Sequence, residues 1–433
     1  MKVGLWLQDY RNSSEEGFQE VLDIVKASDI DIFVFPEASY TPFSELINNN
    51  DLLDDSSEAY FKKATETAEY IHKPTVFSDY DKYGTMFSYY YNPVASEDET
   101  VDKYYIKHTA TNCSAYDFKN YDEFWAYHNF EPIVLKGKKI GLTICYDCNY
   151  SLYSRLYGVM EADIIINSTG GNVVHEKWFK YNQVRAIENE CYIFVTMGYS
   201  QDKTINSYVF GFGPNGNPLP YKNLMHKNPM ETNLVGSVYV YDTEDDDGVG
   251  YVDNSNQFSR KTEYDDIFIE AGNVDSLLKN AEQVRHNLYV HKVGDTNLVI
   301  FVCDNDEILY PEVVLNGLYD KELKKYTAKK YLIVSKWDKL DKEFFETKLS
   351  PVLKVRSMEN FCAVILESDL CNKCYQCGNN RTAQVICEND GTFGLDFKRM
   401  GGPETIWRNK PGMIKAEWRE HFEKVVYQLV EEE

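Results

Sequence analysis

The stretch KKIGLTICYDCNY, residues 138–150, runs an apolar segment directly into two cysteines. A continuous apolar segment bounded by polar residues is typical of a strand that is buried on both faces. In layered α/β folds, the carboxyl ends of such strands carry the reactive side chains. Cys145 stands at that end. It is therefore a nucleophile, half of a metal site with Cys148, or a buried core thiol.

Segments of the same kind alternate with helical patterns over the first 230 residues. This alternation predicts an α/β fold in which helices pack on sheets. Strands are predicted at 2–8, 29–37, 86–93, 138–147, 162–168 and 191–198, and helices at 13–28, 56–72, 152–159 and 175–190.

The composition excludes some classes of partner. The 433 residues include 45 basic and 69 acidic side chains, for a net charge of -24. A field of that sign repels phosphate backbones and anionic lipid, so we expect neither nucleic acid nor a membrane surface as partner. No signal-peptide pattern or membrane-spanning window is visible, and ten cysteines without a leader suit a reducing compartment. We therefore predict a cytoplasmic protein with free thiols.

Three polar residues follow apolar strands: Glu37 after IFVFP, Lys107 in KYYIKH and Cys145 after IGLTI. Taken singly, each has a simpler explanation as a core thiol, a helix cap or a surface charge. Together they resemble the nitrilase (carbon–nitrogen hydrolase) superfamily. The matching segments are FVFPEASYTPF, DKYYIKH, GKKIGLTICYD, EADIIINSTGG and KYNQVRAIENECYIFV, in the family's order and with its spacing.

The resemblance implies a four-layer α-β-β-α sandwich that forms a homodimer or higher homo-oligomer and needs no cofactor. It implies Cys145 as the nucleophile, Glu37 as its general base, and Lys107 as the cation that favours thiolate and stabilises the oxyanion. The Tyr146 backbone N–H would complete the oxyanion hole. A second glutamate that orients the lysine and substrate is assigned to Glu123, with Glu131 as the rival.

The resemblance also indicates the class of bond. Relatives that cleave nitriles usually carry Trp-Glu after the nucleophile, whereas Tyr-Asp, as in CYD here, is typical of enzymes that cleave amides or carbamoyl groups. We therefore expect a cysteine-dependent hydrolase of a small amide or carbamoyl substrate, which uses water and a thioester intermediate. The alternatives are a nitrilase, an amide-using acyltransferase on the same triad, or a non-catalytic binding protein that retains the fold.

The C-terminal part of the chain contains a segment that repeats part of the N-terminal sequence. VRAIENECYIFV at 184–195 recurs as VRSMENFCAVIL at 355–366. We therefore predict a catalytic domain at 1–282 and a partial copy of its second half at 283–433. Alignment places either Asn305 or Cys303 at the nucleophile's position, and neither gains a Glu or Lys partner. The copy is predicted to be non-catalytic and to cover a sheet edge, gate the first site or bind a partner.

A cysteine run, CNKCYQCGNN at 371–380, raises a separate possibility. Cys371, Cys374 and Cys377 could hold zinc or an iron–sulfur cluster in a loop, if Cys362, Cys387 or His421 supplied a fourth ligand. Free thiols in a hairpin are the alternative, and we predict no metal.

Overall fold

The computed structural model describes residues 1–9, 15–39, 56–80, 86–107, 130–170, 175–199, 209–225, 237–245, 267–270, 274–377, 385–388, 392–397 and 400. They fall into two compact units, one within residues 1–250 and one within residues 251–410. No helix in these ranges is long and apolar enough to cross a membrane.

The first unit contains two sheets. Its strands are β1 (Lys2–Trp6), β2 (Gln8–Asp9), β3 (Ile32–Glu37), β4 (Thr75–Tyr80), β5 (Met86–Tyr91), β6 (Asp102–Ile106), β7 (Ile133–Leu135), β8 (Lys138–Ile144), β9 (Ile164–Thr169), β10 (Tyr192–Tyr199), β11 (Phe210–Phe212), β12 (Lys222–Asn223) and β13 (Val238–Asp242). One sheet has the order β12-β13-β1-β3-β4-β5-β6 and the other β11-β10-β9-β8-β7, with β2 paired to β10.

Parallel pairing explains why the central strands are apolar throughout. In the first sheet β1, β3 and β4 run parallel, and in the second β8, β9 and β10 do. Parallel strands buried on both faces read as continuous hydrophobic runs, as IFVFPE and KKIGLTI do here. Their carboxyl ends therefore carry the first polar side chains that the two sheets offer.

Helices cover the outer face of each sheet. They are α1 (Glu15–Ala27), α2 (Ser56–Ile71), α3 (Ser151–Val159) and α4 (His175–Asn189). Val21 and Val25 of α1 pack in one core with Phe33 and Phe77 of the first sheet. Helices α3 and α4 contact β8 and β10 of the second sheet. The four-layer α-β-β-α sandwich predicted from the sequence is thereby confirmed for this unit.

The inner faces of the sheets are joined by hydrogen bonds as well as apolar packing. The Ser168 hydroxyl donates to the Phe35 carbonyl over 3.0 Å, and the Thr196 hydroxyl donates to the Trp6 carbonyl over 2.5 Å. Each bond links a strand of one sheet to a strand of the other. Because all four residues are buried, these bonds restrict sliding of one sheet over the other.

The second unit is built on one seven-stranded sheet and a two-stranded ladder. Its strands are β14 (Ile267–Glu270), β15 (Glu282–Arg285), β16 (Leu288–Val293), β17 (Thr296–Asp304), β18 (Lys329–Trp337), β19 (Ala363–Ser368), β20 (Lys373–Cys377), β21 (Val385–Glu388) and β22 (Thr392–Leu395). Its helices are α5 (Val274–Lys279), α6 (Pro311–Leu318), α7 (Lys342–Phe344) and α8 (Ser350–Asn360), with a π-helical turn at Phe345–Leu349 before α8.

The predicted domain boundary at residue 282 differs from the boundary between the two compact units. A first domain at 1–282 would include β14 and α5. Instead β14 pairs antiparallel with β22, and Val274 of α5 packs in a core of the second unit together with Phe393. Local periodicity predicted both elements correctly but could not show which sheet they join. The extent of the predicted partial copy stays a prediction.

The second unit repeats a run of strand directions found in the first. From β16 to β20, neighbouring pairs are antiparallel, parallel, parallel and antiparallel, as they are from β7 to β11. A five-residue 3₁₀ helix follows the second strand of each run, at Cys145–Asn149 and at Asn305–Leu309. Their first residues have the same left-handed backbone, with φ of 46° at Cys145 and 48° at Asn305. This correspondence supports Asn305, not Cys303, as the counterpart of Cys145.

Each unit packs a glycine against an aromatic ring, with the two residues in reversed positions. In the first, Gly141 on β8 lies against the ring of Tyr157 on α3, and a Cβ at position 141 would overlap that ring. In the second, Gly317 on α6 lies against the ring of Phe301 on β17. The glycine and the aromatic ring have exchanged their strand and helix positions, while the space between strand and helix is filled in both units.

We predict that Gly141→Ala destabilises the protein by about 1–3 kcal/mol, because a methyl group enters space that the Tyr157 ring already fills. Urea unfolding monitored by near-UV circular dichroism measures the change. The double variant Gly141→Phe/Tyr157→Gly, which copies the arrangement of the second unit, should be more stable than the sum of its single variants predicts. Strict additivity in this pair would contradict the exchange.

Candidate active site

The backbone presents Cys145 at a sharp turn between β8 and the 145–149 helix. Its φ of 46° is rare for a residue with a Cβ and is held by neighbouring hydrogen bonds. The Asp147 carboxylate accepts the Ile144 N–H over 3.1 Å, and the Asn167 side-chain amide donates to the Cys145 carbonyl over 3.3 Å. These bonds fix the turn on both sides of the thiol.

Glu37 and Lys107, which are 70 residues apart in the chain, form a buried ion pair. The Lys107 Nζ lies 2.6 Å from Glu37 Oε1, and the lysine side chain has no exposed surface. The other carboxylate oxygen, Oε2, accepts the Gly170 backbone N–H over 2.9 Å. Both oxygens of Glu37 thus have a donor, which sets the orientation of the carboxylate.

The third predicted residue, Cys145, meets this pair. Its thiol is close enough to Glu37 and Lys107 for both charges to act on its pKa. Glu37 and Lys107 come from the ends of strands in the first sheet, and Cys145 from the end of a strand in the second. The structure therefore brings together the three residues of the predicted triad at the interface between the sheets.

Burial and charge determine which of these groups is ionised. Burial raises the pKa of the Cys145 thiol well above its usual value and the Glu37 carboxylate raises it further, while Lys107 opposes both. Burial alone would lower the pKa of Lys107, but the charge of Glu37 and the interaction with Cys145 raise it above its usual range. Burial and Glu37 therefore favour a neutral thiol at Cys145, and Glu37 favours a charged ammonium group at Lys107.

The predicted oxyanion and orienting residues have different outcomes. Tyr146 is half-buried in the 145–149 helix, with its ring 5.6 Å from that of Trp178. Glu123, the assigned second glutamate, lies outside the described residues, so its role stays a prediction. The rival Glu131 is exposed and lies 3.8 Å from the Lys103 ammonium at the surface, which disfavours it as a substrate-orienting group.

Cys148 packs in the core of the turn, as a structural thiol does. It is buried, and burial raises the pKa of its thiol to about 12, against a smaller lowering by Arg185. The Arg185 Nε donates to the Cys148 carbonyl over 2.9 Å, and its guanidinium also pairs with Glu188. Arg185 thus connects α4 to the turn.

The cysteine run in the second unit is not the loop that we predicted. Lys373–Cys377 is strand β20, paired with β19 and β21. Cys371, which precedes the strand, packs against one core of the second unit, and Cys374 on the strand packs in the other. These two thiols do not converge on one ion. Among the residues described, no cluster of three or more metal-ligating side chains occurs.

Sequence reasoning missed three residues of the site. Gly170 holds Glu37 through its N–H, and a Cβ there would lie 2.9 Å from Glu37 Oε2, so the second sheet approaches the carboxylate closely at this glycine. The paired glycines of STGG, directly after a buried strand, were the available signal. Asp147 was visible only as part of CYD, and nothing in the sequence indicated its 2.8 Å hydrogen bond with Tyr105, since nothing local links positions 42 residues apart.

We predict that Glu37→Gln moves the pH profile of Cys145 alkylation by iodoacetamide to lower pH, by about one unit or more. The reason is that Glu37 raises the pKa of the thiol, so removing its charge makes thiolate available at lower pH. Peptide mapping by mass spectrometry follows position 145, in a Cys148→Ser background that removes the neighbouring thiol. A profile that stays in place or moves to higher pH would contradict the proposed electrostatics.

Part of the chain is similar to a known protein family. Residues 6–209 match the family model described as carbon-nitrogen hydrolase. No curated protein matches the sequence significantly. Similar solved structures include an amidase from Nesterenkonia sp., at 16% identity over 57% of this chain and 91% of that chain, with a TM-score of 0.40.

Two further solved structures have comparable likeness. A carbon-nitrogen hydrolase from Helicobacter pylori G27 is 17% identical over 56% of this chain and 89% of its own, with a TM-score of 0.42. Nit3 of Saccharomyces cerevisiae, a member of branch 10 of the nitrilase superfamily, is 17% identical over 57% of this chain and 91% of its own, with a TM-score of 0.41. By the family match and the residues that carry it, residues 6–209 of this chain are similar to the nitrilase, or carbon–nitrogen hydrolase, superfamily.

Proposed function

We propose that this protein hydrolyses the carbon–nitrogen bond of a small amide or carbamoyl substrate through a thioester on Cys145. The observation that carries the proposal is the buried Lys107–Glu37 ion pair in contact with the Cys145 thiol. Burying two charges is costly, and the fold has no structural need for them at the same strand ends where a thiol lies. A paired base and cation beside a nucleophile instead meet the needs of acyl transfer.

Acylation begins from a neutral thiol. As Cys145 Sγ attacks the substrate carbonyl carbon, its proton passes to Glu37, whose carboxylate acts on the thiol. The carbonyl oxygen becomes an oxyanion beside the Lys107 ammonium, and the Tyr146 N–H is proposed as its second donor. Glu37 then gives the proton to the substrate nitrogen, the C–N bond breaks, and ammonia or an amine leaves the thioester behind.

Deacylation uses the same groups with water as the nucleophile. Glu37 takes a proton from water as the oxygen attacks the thioester carbonyl, and Lys107 again faces the oxyanion. The C–S bond breaks, the proton returns to Cys145, and a carboxylic acid or, from a carbamoyl substrate, a carbamic acid leaves. Each cycle thus consumes one substrate molecule and one water and restores the neutral thiol.

An amide-type bond is favoured over a nitrile by the residues around the thiol. The CYD segment is the form that resembles amide and carbamoyl cleavers. In the structure its Asp147 is fully buried and hydrogen-bonded to Tyr105 and to the Ile144 N–H. The proposed partners are a small-molecule substrate and water, and the homo-oligomeric assembly stays a prediction.

We predict that wild-type protein, incubated with a panel of small amides and carbamoyl compounds, releases ammonia or amine and forms an acyl adduct on Cys145. Intact-mass spectrometry after acid quench detects the adduct, and Cys145→Ala should abolish both adduct and turnover. Loss of the nucleophile removes the covalent route entirely, so we expect a fall in turnover of at least about 10⁴-fold.

Two matched controls come from the chain itself. Cys148→Ala removes a buried thiol three residues away, and Cys303→Ala removes one at the end of β17; both should leave activity within a few-fold. Wild-type protein that turns over no member of a broad panel and forms no adduct would refute the hydrolase proposal. If Cys303→Ala lost as much activity as Cys145→Ala, the proposal would have placed catalysis in the wrong unit.

A further inference from the structure

In addition to the Gly170–Glu37 bond, another hydrogen bond near the active site joins the two sheets. The Tyr105 phenol donates to the Asp147 Oδ2 over 2.8 Å. Tyr105 is 2% exposed and Asp147 has no exposed surface. A hydrogen bond from a neutral donor to a buried carboxylate is among the stronger ones in proteins, since the acceptor is charged and water is excluded.

Each of these two residues lies two positions along the chain from a residue of the proposed triad. Tyr105 comes two residues before Lys107 on the β6 segment, and side chains two apart on a strand point to the same face. Asp147 comes two residues after Cys145 in the 145–149 helix. The Tyr105–Asp147 bond therefore connects the segment that carries the ammonium group to the segment that carries the thiol.

The segment that carries Lys107 needs such a connection. Strand β6 ends the order of its sheet, so among the described residues it is hydrogen-bonded to β5 alone. The Lys107 N–H still donates to the Met86 carbonyl over 2.9 Å, at the edge of that pairing. Edge strands open more readily than central ones because only one ladder holds them. A bond to the opposite sheet restrains β6 from its inner face.

The second unit separates the two roles of the carboxylate at this position. There Glu307, two residues after Asn305, accepts the Asp304 N–H over 2.9 Å, as Asp147 accepts the Ile144 N–H. Capping the turn is thus common to both units and belongs to the fold. Glu307 does this at an exposed site, whereas Asp147 is buried and also receives the Tyr105 phenol. The bond to Tyr105 therefore occurs in the unit whose turn begins with a thiol.

We propose that the Tyr105–Asp147 hydrogen bond positions Lys107 against Cys145, with both residues acting as positioning residues that do not touch the substrate. The inference rests on the proposed hydrolase function for its kinetic readout. In this proposal the aspartate of CYD contributes to catalysis by holding the β6 segment that carries Lys107. The electrostatics agree, since the Asp147 charge also contributes to keeping Lys107 protonated.

Tyr105→Phe tests the proposal with little disturbance, because it removes one oxygen and keeps the ring, which packs 6.0 Å from that of Phe130. We expect kcat to fall about 10- to 100-fold with KM within about two-fold, since an ammonium displaced by a fraction of an ångström stabilises the oxyanion poorly. Glu307→Gln, at the corresponding position of the second unit, is the matched control and should leave kcat unchanged.

A second readout does not depend on any substrate. Lys107 lowers the pKa of Cys145, so a lysine that moves away should shift the pH profile of Cys145 alkylation by iodoacetamide to higher pH in Tyr105→Phe. A purely structural role for the bond would lower the melting temperature and leave this profile in place. The profile also separates the two proposals, because it can be measured even if wild-type protein hydrolyses no amide.

Asp147→Asn provides the second variant, since it keeps a neutral acceptor of the same shape. Because both substitutions weaken one bond, the double variant Tyr105→Phe/Asp147→Asn should lose no more activity than the worse single variant. Multiplied losses in the double variant would overturn the proposal, and so would wild-type kcat and an unmoved alkylation profile in Tyr105→Phe. Neither result would affect the assignment of Cys145 as nucleophile.

Discussion

The buried ion pair between Lys107 and Glu37 is the constraint on which the site depends. A lysine without exposed surface keeps its charge only beside an anion, and a carboxylate in the same place needs donors on both oxygens. Removing one partner from such a pair costs about 3–5 kcal/mol, because the other charge is left buried and uncompensated. The pair therefore holds the strand ends of one sheet in a fixed relation and creates a polar point in an apolar interior.

The second sheet supplies the remaining groups of the site around this ion pair. It contributes the Cys145 thiol on a left-handed turn and the Gly170 N–H that binds Glu37 Oε2. The two sheets are in turn joined by the Ser168 and Thr196 hydroxyls. Because donors and acceptors are placed before a substrate arrives, little reorganisation is needed when negative charge develops on a carbonyl oxygen.

The two units of the chain provide an internal comparison between requirements of the fold and requirements of the chemistry. Both have the strand–turn–helix geometry with a positive φ at Cys145 or Asn305. Both also have an arginine, Arg185 or Arg356, whose Nε donates to a carbonyl of the 3₁₀ helix that begins at Cys145 or Asn305. These features serve the fold, since they occur with and without a thiol at the turn. The Glu37–Lys107 pair and the Tyr105–Asp147 bond belong to the first unit and to its proposed reaction.

Sequence pattern predicted the buried central strands and the helices of the first unit, and the family resemblance selected the candidate residues at the strand ends. Buried parallel strands are apolar from end to end, so the strands that end at Glu37 and Ile144 and the polar residues that follow them could be predicted. It did not determine partners across long separations. The Gly170 contact, the Tyr105–Asp147 bond and the pairing of β14 with β22 each join residues that no local period relates. Only the tertiary structure decided these, because whether two groups meet depends on how sheets stack and strands pair, while periodicity reports only which face of an element is buried.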